Sequence, residues 1–183
     1  MNAGAFALIL FGETAIGGAA HAGTLFDAYQ SFCVSPLAQS QAVLAVADGL
    51  HFDKLPSASL DSYRKDGFFA VDGRGDAKSH IVIIVGQKRE TIANHPRNVA
   101  YCRVMASLSE DKALVRAEFD RWMNGIAPSG GVYSFVDDGA RRRAFETIPP
   151  SQVISVLNSG KVRSAAIHDE GGVTTIVYVA DAK

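Results

Sequence analysis

The stretch GVYSFVDDGARRRAFETI, residues 131–148, decides the fold class, because it predicts two strands joined by a tight turn. The dipeptide Asp138-Gly139 lies between two strand-like runs, and Asp-Gly in that position is a strong hairpin signal. A second hairpin is predicted in VRSAAIHDEGGVTTIVYVA, residues 162–180, around its Asp-Glu-Gly-Gly turn. Strands that follow one another through hairpins run antiparallel, so we expect a largely antiparallel sheet.

Three further strands are predicted earlier in the chain. GFFAVD, residues 67–72, and HIVIIVGQ, residues 80–87, flank an expected loop with the sequence GRGDAKS. HIVIIVGQ is apolar on both faces, which places it near the centre of the sheet. The segment KRETIANHPRN, residues 88–98, is predicted to be a polar loop that leads into the strand VAYCRVMASL, residues 99–108.

Apolar periodicity and capping residues mark the helices. Residues 25–33 carry apolar side chains at helical spacing, and Ser35-Pro36 is expected to start a second helix that ends at Gly49. Ser109 is expected to cap a central helix that ends at Gly125. The apolar faces of the central helix and of a short helix in residues 149–160 are expected to be Leu114, Val115, Phe119, Trp122 and Met123, and Val153, Ile154, Val156 and Leu157.

The predicted fold class is therefore α+β. The largely antiparallel sheet is expected to have about six or seven strands, with an N-terminal helix pair and one central helix packed mainly on one face.

The two cysteines are predicted to form a disulfide. Cys33 lies on the apolar face of the first predicted helix, and Cys102 lies on the apolar face of the strand VAYCRVMASL. Packing that helix on that sheet face brings the two sulfurs together. The bond would close a loop of about 70 residues, and a disulfide of this kind is typical of exported proteins.

The N-terminus has the features of a signal peptide. Residues 4–11 form an apolar run of suitable length, and Ala20-His21-Ala22 is a suitable cleavage site before Gly23. The run is too short to span a bilayer. We therefore predict a signal peptide in residues 1–22 and one α+β domain in residues 23–183, which is periplasmic or secreted and has no stable membrane insertion after cleavage. An ordinary buried N-terminal helix is the alternative.

Composition and motifs narrow the function classes. The chain has 18 Lys and Arg against 19 Asp and Glu, and this balance gives no general attraction to nucleic acid or to anionic membranes. Two cysteines and five scattered histidines do not form a zinc motif. The G-x-S-x-G, P-loop and C-x-x-C patterns are also missing from the sequence. We therefore predict no cofactor and no metal, and an unknown small ligand or protein as the partner.

Candidate functional residues occur in a few polar clusters. His95 and Arg97 lie in the predicted polar loop near Lys88-Arg89, where an anion could bind. Arg141 and Arg143 are predicted to share one face of a strand, while Arg142 lies on the other; an anion-binding pair is one possibility and a surface salt-bridge cluster the other. His168 precedes two carboxylates at a hairpin tip, in a position suited to general acid–base catalysis or to a solvated turn.

Two hypotheses follow from these residues. The first is a non-enzymatic exported protein that binds a small ligand or a protein partner. The alternative is a small exported hydrolase in which His95 or His168 acts as a base with a nearby carboxylate. The hydrolase requires a histidine and an acid within hydrogen-bonding distance in a cleft. The tripeptide within GRGD also matches a cell-attachment motif, although so short a match is frequent by chance.

Overall fold

The computed structural model describes residues 24–107, 112–139 and 141–182. The helices are α1 (Leu25–Tyr29), which continues as a π-helical turn (Gln30–Val34), α2 (Ser40–Gly49), α3 (Asp61–Lys65), α4 (Lys112–Met123) and α5 (Val153–Asn158). The strands are β1 (Asp53–Lys54), β2 (Phe68–Asp76), β3 (Ile81–Ile92), β4 (His95–Ser107), β5 (Val132–Asp137), β6 (Arg142–Ala144), β7 (Val162–Glu170) and β8 (Val173–Asp181). The predicted leader and the predicted cap Ser109 lie outside the described residues.

All strands join one antiparallel sheet in the order β1-β2-β3-β4-β8-β7-β5-β6. The predicted α+β class and the antiparallel arrangement are confirmed. The described sheet has eight strands rather than six or seven, because residues 53–54 add a short edge strand to β2. Both predicted hairpins, β5–β6 and β7–β8, are present.

One face of the sheet is covered by α1, α2 and α4. Tyr29, Phe119 and Tyr178 are fully buried there and lie within aromatic contact of one another or of Trp122. Cys33 and Cys102 form the predicted disulfide, with their Cα atoms 5.4 Å apart and both side chains fully buried. The bond joins the end of the first helical segment to the middle of β4.

The other face is less completely covered by the described residues, and we call it the open face. A smaller buried cluster lies on it, formed by Phe68, Tyr101, Ala166 and Val177. The segment of residues 53–66 folds across one side of this face. Leu55 in this segment packs on the strand at Gly73 and Gly75: a Cβ at Gly73 would be 2.7 Å from a Leu55 methyl group, and one at Gly75 would be 3.2 Å from the other.

The start of the second helix was predicted wrongly. The first helical segment continues through Val34, and the Ser35 N–H donates to the Gln30 carbonyl. Pro36 has no N–H with which to extend the helix. Leu37 and Ala38 then adopt positive φ values of 53° and 55°, so α2 begins only at Ser40.

Residues 88–98 are not a loop. They complete a long β3–β4 hairpin, whose two-residue turn is Ala93-Asn94, with φ values of 48° and 65°. Pro96 favoured the loop prediction, because proline cannot donate a backbone hydrogen bond to a neighbouring strand. The Asn98 carbonyl accepts from Ala182 on the β8 side of β4, so Pro96 faces that same side by alternation, beyond the end of β8. Among the described residues no strand pairs with β4 on that side of Pro96, so no ladder bond is lost.

The predicted loop GRGDAKS is also largely strand. β2 runs to Asp76, so Arg74 lies within it and is only 9% exposed. Asp48 and Asp72 neutralise its guanidinium at 2.6 and 3.2 Å, which allows the charge to be buried. A cell-attachment tripeptide has to be exposed at a hairpin tip, and Arg74 is not.

Two residues predicted to face the core are exposed. Leu114 is 44% exposed and Ile154 is 57% exposed. The buried stripe of α4 is narrower than predicted and consists of Val115, Phe119 and Met123. In the short helix α5, Leu157 alone is buried. Among the residues that the structure describes, no helix is both long enough and apolar enough to cross a bilayer.

Candidate functional site

His95 and Arg97 both lie at the start of β4, beside an open cleft of about 390 Å³ that α5 and the end of β8 also line. Arg97 Nε is 2.8 Å from Asp181 Oδ1, and its Nη1 donates to the Leu157 carbonyl. The charge of Arg97 is thus compensated and its guanidinium largely engaged. This arrangement leaves little attraction for an anion.

Arg141 and Arg143 are exposed on the edge of the sheet at β6. They lie four strands from β4, about 19 Å at the usual strand spacing, so they do not share a site with His95 and Arg97. Arg142 lies on the helix-covered face, as alternation predicts. Its guanidinium is 4.5 Å from the Trp122 ring centroid, and it donates to the Trp122 carbonyl.

His168 is exposed near the end of β7. The neighbouring carboxylate of Asp169 accepts hydrogen bonds from Thr174 Oγ1 at 2.6 Å and from Arg116 at 3.0 Å, and these bonds lower the pKa of Asp169. In residues 24–107, 112–139 and 141–182, no carboxylate lies within hydrogen-bonding distance of His95 or His168. The pairing that the hydrolase hypothesis requires is therefore not observed in this part of the chain.

A different arginine occupies a built environment on the open face. Arg103 projects from the middle of β4 and is hydrogen-bonded to two tyrosines. Its Nη1 donates to Tyr63 Oη at 2.8 Å, and its Nε and Nη2 donate to Tyr101 Oη at 3.2 and 2.9 Å. Tyr101 is two residues away on the same strand face, whereas Tyr63 comes from α3. We call these three residues the Arg103 site.

Both rings also face the guanidinium. The Arg103 Cζ atom lies 5.3 Å from the Tyr63 ring centroid and 5.7 Å from the Tyr101 centroid. Such contacts favour a cation, but they do not neutralise its charge. Within the described ranges, no carboxylate lies within 4 Å of Arg103. The site therefore carries a positive charge without a counter-ion.

The two tyrosines remain protonated at neutral pH, because burial, the largest effect, raises the pKa of Tyr63 and of Tyr101 above 10.0. Each hydroxyl accepts from Arg103, and in the described part of the chain neither donates its own proton. A hydroxyl can do both. The site therefore offers two O–H donors and the unused guanidinium N–H groups to an acceptor.

A second cation nearby is already compensated. Lys88 Nζ lies 5.3 Å from the Phe68 ring centroid and 5.8 Å from that of Tyr101, but it also pairs with Glu90 at 2.6 Å. Phe68 packs edge-on against Tyr101, with centroids 5.0 Å apart. These contacts fix the Tyr101 ring against which Arg103 lies.

An apolar groove of about 660 Å³ lies farther along the same sheet face. The half-buried side chains of Leu55, Val82, Met105 and Val173 line it, and Pro56 closes one side. Polar residues also line it, namely Asp53, Lys54, Asp76, His80 and Ser107. Met105 follows Arg103 on the same face of β4, so the groove begins where the Arg103 site ends.

Sequence reasoning missed this site. Alternation in the strand VAYCRVMASL places Tyr101, Arg103 and Met105 on the face opposite Cys102, but it does not show that Tyr63 joins them. Tyr63 lies 40 positions before Arg103, in a segment with weak secondary-structure signals. The Tyr-x-Arg spacing in β4 was the available local signal, since alternation places both side chains together.

The described residues contain no group of three His, Cys, Asp or Glu side chains that could hold a metal ion. Comparison of the chain with models of known protein families, with curated proteins and with solved structures finds no match.

Proposed function

We propose that this protein is an exported, non-enzymatic binding protein whose small ligand carries an anionic group and binds at the Arg103 site. The observation that carries this proposal is the guanidinium of Arg103, held by Tyr63 and Tyr101 and without a carboxylate partner in the described residues. A positioned cation that lacks a counter-ion attracts an anion, and oriented donors give that attraction a direction.

Two further observations support the proposal. The buried Cys33–Cys102 disulfide is typical of proteins that function outside the reducing cytosol. In the described ranges, the exposed histidines His95 and His168 have no carboxylate within hydrogen-bonding distance, and Asp181, which lines the same cleft as His95, is paired with Arg97. His95, Arg97, Arg141 and Arg143 are not part of the proposed site.

The binding claim is tested by titrating the protein with acetate, phosphate and sulfate while recording NMR spectra. We expect shifts at residues around Arg103, and we expect Arg103→Met to abolish them. Arg89→Met is the matched control, because Arg89 is exposed on β3 and, by alternation, belongs to the opposite sheet face. Equal shifts in wild type and Arg103→Met would contradict the proposed site.

Export is tested separately by mass spectrometry of the protein from its native host. We expect a mature chain that begins at Gly23. A protein that retains Met1 or Asn2 would contradict export, although it would leave the binding claim unaffected.

A further inference from the structure

The Arg103 site and the apolar groove are neighbours on the open face, because Met105, which lines the groove, is two residues from Arg103 on β4. Arg103, Met105 and Ser107 alternate to the same side of β4. The rise along a strand places Met105 about 7 Å and Ser107 about 14 Å from Arg103. A ligand bound at the guanidinium therefore reaches the groove within the length of a short alkyl chain.

The apolar part of the groove lining suits an alkyl chain better than a second polar group. Leu55 and Pro56 lie on one side and Val173 lies on the other, with Val82 and Met105 between them. All but Pro56 are half-buried and present apolar surface to the groove. Burying a charge against such side chains is costly, whereas burying methylene groups is favourable.

The charges around Arg103 limit the charge that the head group of the ligand can carry. Arg103 supplies one positive charge, and the Lys88 charge is already paired with Glu90. A group with one negative charge balances Arg103, whereas a doubly charged group would leave an excess negative charge near Asp66, whose carboxylate already raises the pKa of Tyr63. The planar guanidinium also matches the two oxygens of a carboxylate.

We infer that the ligand is an amphipathic monocarboxylate, whose carboxylate binds Arg103, Tyr63 and Tyr101 and whose unbranched alkyl chain lies along β4 in the groove past Met105. The inference rests on the proposed function and adds the chemical class of the ligand. It also gives the groove a role in binding, because an anion bound at the Arg103 site alone would not occupy the groove.

The test is calorimetric titration of the full chain with acetate, butyrate, hexanoate, octanoate and decanoate, each below its micelle concentration. We expect affinity to rise about fourfold for each added methylene until the groove is full, since each buried methylene contributes about that factor. Octanamide, which has the same chain without the charge, should bind at least tenfold more weakly than octanoate.

Three variants, with one control, separate the contribution of the ligand's carboxylate from that of its alkyl chain. Arg103→Met should weaken octanoate binding at least tenfold, and the control Arg89→Met should not change it. Met105→Ser should reduce the gain with chain length and leave acetate binding as in the wild type. Tyr63→Phe, which removes one hydroxyl and keeps the ring, should weaken every carboxylate by a similar factor. This variant gives a second measurement if Arg103→Met fails to fold.

The outcomes separate the inference from the proposed function. Acetate binding that depends on Arg103 but does not strengthen with chain length overturns the inference and leaves the proposed function. Failure of every anion to bind overturns both. Octanoate binding that is equal in wild type and Arg103→Met overturns the placement of the head group. An alkyl phosphate that binds more tightly than the alkyl carboxylate of equal length overturns the carboxylate class.

Discussion

At the scale of single residues, Gly139 shows what the turn of the β5–β6 hairpin demands. Its φ is 87°, as the Asp-Gly signal predicts, and an added Cβ would meet nothing within 4 Å. The cost of Gly139→Ala is therefore conformational, and we expect a loss of about 1 kcal/mol in the free energy of unfolding. Urea denaturation measures it.

The matched control is Gly49→Ala. Gly49 is the last residue of α2, has no positive φ and also has open space where a Cβ would be. Alanine there favours the helix, so we expect no loss of stability or a small gain. Equal losses at both positions would contradict the conformational explanation.

Gly86 is required for a different reason, because it lies under the Phe68 ring. A Cβ at this position would be 2.7 Å from the Ala70 carbonyl oxygen and 2.7 Å from a Phe68 ring atom. Since backbone cannot yield easily, Gly86→Ala should destabilise the protein by about 1–3 kcal/mol and weaken carboxylate binding by displacing Phe68 from Tyr101.

Gly75→Ala provides the comparison for Gly86→Ala. Its nearest neighbour would be a methyl group of Leu55 at 3.2 Å, which is the flexible end of a side chain. A smaller loss of stability is expected from thermal denaturation. A loss as large as that of Gly86→Ala would show that the backbone contact is not decisive.

At the scale of elements, the disulfide fastens the first helical segment to β4. It spans 69 positions, and replacing both cysteines by alanine should cost 2–5 kcal/mol and lower the melting temperature by many degrees. Both sulfurs are fully buried, so reductant should act slowly on the native protein. Titration of the unfolded, unreduced protein should find no free thiol, and two thiols per chain would refute the bond.

The β3–β4 hairpin shows where a local pattern misleads. Residues 88–98 are polar and contain Pro96, which together favour a loop. The strand pairing extends through them because Pro96 faces the side of β4 on which the described residues provide no neighbouring strand, and because Ala93-Asn94 forms a tight turn. Neither condition can be recognised from residues 88–98 alone. The position at which β8 ends decides whether Pro96 lies beside another strand.

At the scale of the whole molecule, fold class and disulfide pairing were predictable, whereas the site was not. Hairpin turns and strand alternation are local properties, and they placed Cys102 on the helix-covered face. The Arg103 site depends on how residues 53–66 cross the open face and bring Tyr63 to Arg103. That crossing requires Leu55 to lie on Gly73 and Gly75, which is a contact between distant segments.

Tyr178, which is buried between the sheet and the helices, is expected to contribute to the loss of stability at high pH. Burial, the largest effect, raises the pKa of Tyr178 to about 12, with Asp137 acting in the same direction and Arg163 and Arg142 against it. In the unfolded chain a tyrosine has a pKa of about 10. The folded state thus retains the proton to a higher pH than the unfolded chain.

Well below pH 10 the Tyr178 hydroxyl is protonated in both the folded and the unfolded state, so its contribution to the free energy of unfolding is fully present. As the pH rises from about 10 towards 12, the unfolded state alone loses the proton and stability falls, by about 2–3 kcal/mol for this side chain. Urea denaturation between pH 8 and about 12 should show a shallower decline in Tyr178→Phe, which has no proton to lose, than in the wild type. Parallel declines would mean that the Tyr178 hydroxyl titrates alike in both states, contrary to its burial.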